Sequence, residues 1–267
     1  MILGSVADRL AIERAVDGAD VVCHLAALMP SVDNARLFET NVGGTFNVAE
    51  AITAATTPTR LVFASTDAVY GTGWGRIAYH EPIAEDTPPA PANFYGATKV
   101  LAEQLLRQYR LLHGLDFVAL RFSWIMGPGE ILDLFEPDTW ADVLDEETVR
   151  RLSSRSSVPL LRQADGQSFR DHVVASTDAA RAVIAAASGA GAAGETFNVA
   201  GPAPFAYEQW VPIVADRLQR PIVDVIAPGL HAYELSIERA RTQLSYEPAL
   251  GVEAMIESAL AGGGDGA

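Results

Sequence analysis

The chain has 267 residues, with 19 Lys and Arg against 34 Asp and Glu, for a formal net charge of -15. That field repels nucleic-acid phosphates and anionic membrane surfaces, so neither is expected as a partner, whereas a small-molecule substrate responds to the local field. An apolar fraction of 49% and a charged fraction of 20% suit one compact body with a sizeable core. The one cysteine, Cys23, cannot close an internal disulfide. Within Val21-Val22-Cys23-His24-Leu25 it reads as a core thiol, which points to a reducing, cytoplasmic setting. No apolar run approaches the roughly 20 residues that span a bilayer, and no basic region followed by a hydrophobic segment opens the chain.

Short apolar runs alternate with segments of helical period, the pattern of βα units around a parallel sheet buried on both faces, so the class is α/β. In chain order, strands are predicted at 1–3, 20–25, 60–65, 116–121 and 195–199, with the most distinct helices at 34–55, 93–112 and 177–187. At Gly127-Pro128-Gly129 the pattern breaks, and an acidic stretch over 130–147 follows, with apolar patches around Phe135 and Trp140. Helices at 207–217, 236–244 and 252–260 complete what reads as a cap. The division expected is 1–125 with 170–200 for the sheet domain, 126–169 with 201–261 for the cap, and 262–267 as a flexible tail.

Leu61-Val62-Phe63-Ala64-Ser65-Thr66-Asp67-Ala68-Val69-Tyr70-Gly71 is an apolar strand ending in polar residues, and α/β sheets bind ligands at the carboxyl ends of their strands. Tyr95-Gly96-Ala97-Thr98-Lys99 opens a helix, where i, i+4 spacing sets phenol and ammonium on one face. A free tyrosine titrates at about 10, but a nearby lysine and a cationic ring would favour the phenolate and make it a base. Taken alone, the same spacing also describes a solvated surface pair. Asp67 is read either as tuning the Thr66 hydroxyl or as making a local strand-end hydrogen bond. The five histidines show no ligand spacing, so no metal site is expected, and the acidic stretch 138–147 reads as a solvated helix face.

The order of these motifs, with His24-Leu25-Ala26-Ala27, Asn41-Val42-Gly43-Gly44-Thr45-Phe46-Asn47-Val48, Leu120-Arg121-Phe122, Arg170-Asp171-His172-Val173 and Phe197-Asn198-Val199-Ala200-Gly201, resembles the extended short-chain dehydrogenase/reductases, the NAD-dependent epimerase/dehydratase group. The resemblance implies a Rossmann-like, doubly wound parallel sheet with a small C-terminal substrate lobe, NAD or NADP as cofactor, and Thr66, Tyr95 and Lys99 as the catalytic trio. It further implies that Ser5, Val6, Leu25, Ala26, Ala27, Asn41, Ala64 and Ser65 join Tyr95 and Lys99 around the cofactor. Thr66, Asp67, Trp124 and Arg170 would face a sugar, nucleotide-sugar or related hydroxyl or carbonyl substrate. Trp124 stands where the family has Asn, and is read both as a stacking surface and as core packing. The helices at 34–55 and 93–112 correspond to those through which the family forms homodimers.

The family's opening strand, glycine-rich turn and ribose-binding acid are not found before Met1-Ile2-Leu3-Gly4, which resembles the third strand. A truncated start is the favoured explanation, against a relative that acts as a scaffold without a dinucleotide or a partner chain that completes the sheet. Gly189-Ala190-Gly191-Ala192-Ala193-Gly194 fits G-x-G-x-x-G but lies between a helix and a strand, the reverse of the required order, and Gly71, Gly73 and Gly75 lead into a loop.

Overall fold

A computed structural model describes residues 2–30, 32–72, 82–189 and 191–262. Its first half runs α1 (Arg9–Val16), β1 (Val21–His24), α2 (Asn34–Leu37), a wider helical turn over Phe38–Gly43, α3 (Gly44–Ala54), β2 (Arg60–Thr66), α4 (Phe94–His113) and β3 (Phe117–Phe122). There follow β4 (Trp124–Met126), α5 (Glu146–Ser154), β5 (Val158–Arg162), β6 (Arg170–Asp171), β7 (Val173–Ala175), α6 (Ser176–Ser188) and β8 (Thr196–Val199). The chain ends in β9 (Phe205–Ala206), α7 (Tyr207–Leu218), β10 (Ile222–Ile226), α8 (Glu238–Leu244) and α9 (Val252–Gly262).

The main sheet is parallel, in the order β1-β2-β3-β8. Successive side chains of a strand point to opposite faces. Leu61, Phe63, Phe117 and Ala119 therefore pack with Val48, Ile52, Leu106 and Tyr109 of α3 and α4. Val62, Val118 and Leu120 meet Ala179, Ala182 and Ala186 of α6 and Leu244 of α8 on the other side. Alanines on α6 let that helix approach the sheet closely. A third core joins Trp140, Phe169, Tyr207, Phe135 and Phe205 to Val211, Val214 and Ile256, beneath the parallel pair β5–β10.

Helix α4 carries a polar stripe at one-turn spacing: Tyr95, Lys99, Glu103 and Arg107. Buried Glu103 receives two hydrogen bonds from the buried Arg121 of β3, Nε to Oε1 at 3.0 Å and Nη2 to Oε2 at 2.7 Å. Ser65 Oγ of β2 donates to the same carboxylate at 2.6 Å, and Arg121 also donates to the Tyr70 hydroxyl and the Glu85 carbonyl. This network fixes how far along the sheet the helix sits. At the helix start the Asn93 side chain accepts from Gly96 N at 2.8 Å as an N-cap.

Several sequence expectations are corrected. Ile2 and Leu3 are exposed and belong to no strand, because no ladder pairs them. Cys23 is exposed, not a core thiol, since β1 is an edge strand covered on one side only. The acidic stretch is not one helix: it forms short turns at Glu130–Phe135 and Pro137–Trp140, and α5 begins only at Glu146. Met1, the loop glycines Gly73 and Gly75, and the tail beyond Gly262 lie outside the described residues. No described helix is long and apolar enough to cross a membrane.

His24 closes β1 with its Nε2 3.1 Å from Thr45 Oγ1. Burial first, and the Lys99 cation second, lower its pKa from 6.5 to about 4. The folded state thus holds it neutral while the unfolded chain takes a proton below pH 6.5, so its contribution is present above 6.5 and is lost as pH falls towards 4. The gap between 6.5 and about 4, at about 1.4 kcal/mol per pH unit, amounts to about 3 kcal/mol. Urea midpoints measured from pH 7 to 4 should fall more steeply for the wild type than for His24→Gln. Replacing Glu103 by Leu strands the Arg121 guanidinium in the core and should cost about 3–5 kcal/mol in the same measurement, whereas Arg9→Ala, which removes an exposed ion pair to Glu13, should leave it unchanged.

Candidate active site

The last residues of β2 and the first turn of α4 meet because of two glycines. A Cβ at Gly96 would lie 2.4 Å from the Ala68 carbonyl oxygen, so only glycine lets the helix start rest on the turn that follows β2. Gly71 has φ of 73° and would clash with the Ala90 carbonyl at 2.6 Å, so it too needs glycine where the chain reverses towards residue 90. Tyr95 is thereby brought to Thr66.

A cavity of about 490 Å³ opens here, lined by Leu25, Ala27, Ala64, Ser65, Thr66, Asp67, Tyr95, Lys99 and Trp124 among others. Thr66 and Tyr95 both border it, with the Thr66 hydroxyl near enough to the phenol to favour its ionised form. The Thr66 hydroxyl also donates to Asp67 Oδ1 at 3.2 Å and accepts from Ala68 N. Lys99 Nζ donates to the Ala64 carbonyl at 2.8 Å and lies 5.9 Å from the centre of the Tyr95 ring. An ammonium has three donors, so two remain for a ligand in the cavity.

Electrostatically the site is primed differently from what the motif suggests. Burial pushes the Tyr95 phenol up to about 12, and the Asp67 charge adds to this; the nearby Thr66 hydroxyl works the other way. Burial lowers Lys99 to about 8, with Glu103 opposing. Asp67 and Asp171 are both raised well above the ordinary carboxylate range, again chiefly by burial. Among the protein's own groups, the phenol is a firm proton holder and not a free base.

Of the residues assigned to the cofactor from the sequence, Leu25, Ala27, Ala64, Ser65, Tyr95 and Lys99 line this cavity. The Ser65 hydroxyl, however, is turned into the core towards Glu103. Asn41 is set back: it holds both backbone groups of Leu28, accepting from N at 2.8 Å and donating to O at 3.0 Å, and donates to Thr98 Oγ1 at 3.1 Å. It ties the segment after β1 to α4. Ser5, Val6 and Ala26 do not border the cavity, although Asn47 Nδ2 holds the Val6 carbonyl at 2.9 Å.

Of the residues assigned to a substrate from the sequence, Thr66, Asp67 and Trp124 are brought together, and Trp124 stacks edge-on to Trp140 at 6.2 Å on the cavity wall. Arg170 is not among them: it lines a separate polar depression with Arg162, Gln167 and Glu208. Arg170 and Asp171 are consecutive on β6, so the pleat sends them to opposite sides, and it is Asp171 that faces the cavity. Asp171, Tyr233 and Phe169 were missed from the sequence. The first sits in a quoted motif and could have been found by asking which of two adjacent strand residues points inward; Tyr233 has no local signal. Among the described residues no cluster of His, Cys, Asp or Glu could hold a metal ion.

Comparison with known proteins bears on the family and the fold. Residues 1–200 match the model of the NAD dependent epimerase/dehydratase family. The L-arabinose 1-dehydrogenase (NAD(P)(+)) of Haloferax volcanii is 36% identical over 160 residues, a match that covers 56% of this chain and 59% of that protein. An uncharacterized UDP-glucose epimerase of Bacillus subtilis is 28% identical over 244 residues, covering 88% of this chain and 71% of that protein. Among solved structures, a short-chain dehydrogenase/reductase superfamily protein from Agrobacterium tumefaciens with bound NAD superposes with a TM-score of 0.87 at 31% identity, over 97% of this chain and 84% of that one. Family model and superposed structure agree: the chain belongs to the NAD-dependent epimerase/dehydratase family of extended short-chain dehydrogenases/reductases.

Proposed function

We propose that this protein is an NAD(P)-dependent oxidoreductase or epimerase acting at a hydroxyl or carbonyl carbon of a sugar, with Tyr95 as the group that moves the proton. The observation that carries the reading is the convergence of Thr66, Tyr95 and buried Lys99 on one cavity. The cavity suits the nicotinamide and its ribose: Leu25 and Ala27 offer apolar wall, and the unspent donors of Lys99 suit ribose hydroxyls. The bound dinucleotide supplies hydride acceptance or donation and a positive ring. Ser5 and Val6 are proposed for the adenine end. Among the described residues no glycine-rich turn between a strand and a helix borders the cavity.

The chain's own groups then divide the work. Thr66 orients the reacting oxygen, Tyr95 exchanges its proton, and Lys99 holds the ribose and opposes the Asp67 charge. Asp67, Asp171 and Trp124 make the wall a surface for a neutral polyhydroxylated ring, where carboxylates accept hydroxyl protons and an indole covers the C–H face. The reading places the cofactor side in 1–125 and 170–200 and the substrate cap in 126–169 and 201–261. The match to an L-arabinose dehydrogenase supports a free sugar, and the match to a UDP-glucose epimerase supports a nucleotide-linked one.

The deciding assay offers NAD and NADP with neutral aldoses, sugar acids and nucleotide-sugars, following reduced nicotinamide or epimer formation. Tyr95→Phe should lower kcat by about 10²–10⁴ with the circular dichroism spectrum unchanged, and retention of full activity would remove Tyr95 from the mechanism. Absence of both turnover and dinucleotide binding would favour a binding or scaffold role. We further infer a homodimer through α3 and α4, because Phe94, Leu101 and Leu112 share one face of α4 and are 38%, 46% and 73% exposed. Sedimentation should show a dimer that Leu101→Glu with Leu112→Glu converts to a monomer.

A further inference from the structure

Beyond Thr66 and Tyr95 the cavity wall is built from two kinds of surface. One is aromatic and aliphatic. Trp124, 37% exposed, lies against Trp140 with the ring centres 6.2 Å apart. Trp140 is buried, its Nε1 donates to the Leu134 carbonyl at 2.9 Å, and its ring meets Phe169 and Tyr207 edge-on at 5.7 and 5.9 Å. Trp124 therefore borders the cavity from a firmly packed base. Ile125, Met29 and Pro30 continue the apolar surface.

The other surface is made of acceptors. Both oxygens of Asp67 accept, Oδ1 from the Thr66 hydroxyl at 3.2 Å and Oδ2 from the Tyr233 hydroxyl at 3.0 Å. Asp171 Oδ1 accepts from the His172 amide at 2.8 Å. A carboxylate offers about four lone-pair sites, so each acid keeps room for a donor from a ligand. Among the described residues that line the cavity, Lys99 is the one cation, and one of its donors is spent on the Ala64 carbonyl. Arg162 and Arg170 line the separate polar depression.

Together the two surfaces suit one class of ligand. The hydroxyls of an uncharged sugar donate to carboxylates, and its C–H face rests on an indole. A sugar acid or a diphosphate would bring acceptors to acceptors, and a charge that leaves water without a counter-ion is strongly disfavoured. The net charge of -15 acts in the same sense. At about 490 Å³ the cavity sits in the lower part of the range of roughly 300–1,000 Å³ for ligand pockets, and the reading above also places the nicotinamide in it, so a single ring is what remains to be housed.

We propose that the substrate is a free, uncharged monosaccharide, and that Trp124 is the residue on which its selection depends. The proposal rests on the sugar-directed reaction proposed above and names the class of sugar. Nucleotide-linked and acid sugars are excluded by the want of a cation on this wall.

The test uses sugars that differ only in charge: D-galactose, D-galacturonate and UDP-D-galactose, with the corresponding gluco series, and L-arabinose and D-xylose as the same rings without C6. Calorimetry reads binding with and without NAD or NADP, and kcat/KM reads turnover. A neutral sugar should be preferred over its charged counterparts by about 100-fold or more in kcat/KM. Trp124→Ala should raise KM for that sugar about 10-fold with kcat little changed, and Trp124→Phe, which keeps a ring, should restore most of the loss. Ile125→Arg, which adds a cation to the same wall, should shift the preference towards the sugar acid by about 10-fold. Preference of the wild type for an acid or nucleotide-linked sugar overturns the substrate class and leaves the proposed reaction standing. Neutral sugars that bind through Trp124 but are turned over with neither dinucleotide overturn the proposed reaction and leave the ligand class standing. Absence of neutral-sugar binding, an unchanged KM in Trp124→Ala, or an unchanged preference in Ile125→Arg overturns the assignment to this wall.

Discussion

Everything at the site is referred to one buried contact, the two-pronged pairing of Arg121 on β3 with Glu103 on α4. Ion pairs of this kind add little net stability, because removing both charges from water offsets their attraction. What the pair does supply is register. Glu103 also accepts from Ser65, so one carboxylate ties the helix to two neighbouring strands at once. One helical turn earlier, Lys99 reaches the Ala64 carbonyl, and one turn before that Tyr95 meets Thr66. A helix slid by a single residue would break all of these contacts together.

The same stripe sets the electrostatics in opposite senses at its two ends. Near Glu103 the ammonium of Lys99 keeps a counter-charge, which opposes the desolvation that lowers it. At the far end Tyr95 faces the charge of Asp67 and is held protonated. The tyrosine is thus placed between a cation that lies towards the core and a carboxylate that lies towards the cap. The hydrogen bonds that leave Thr66 lead through Asp67 to Tyr233 and the His172 carbonyl.

Much of the fold could be read along the chain. The strands of the main sheet after the first, and the helices α3, α4 and α6, follow from apolar period and from the glycine, proline and polar residues that bound them. The third core was harder, because β4, β6, β7 and β9 are two or three residues long and carry too little period to recognise. Their strand character comes from their partners: β6 pairs with β9 and β4 with β7 across stretches of intervening chain.

The sequence by itself determined the family and put Thr66, Tyr95 and Lys99 forward as candidates, since the i, i+4 spacing of Tyr95 and Lys99 and the strand-end position of Thr66 are local properties. Tertiary structure alone decided the rest of the site. Whether Arg170 or Asp171 faces the cavity depends on which side of β6 the sheet presents, and the structure chose Asp171. Whether Cys23 is buried depends on what covers β1, and it is exposed. Tyr233 joins Asp67 across more than half the chain, a contact no local pattern encodes, because it arises only when the segment after β10 folds back against the end of β2.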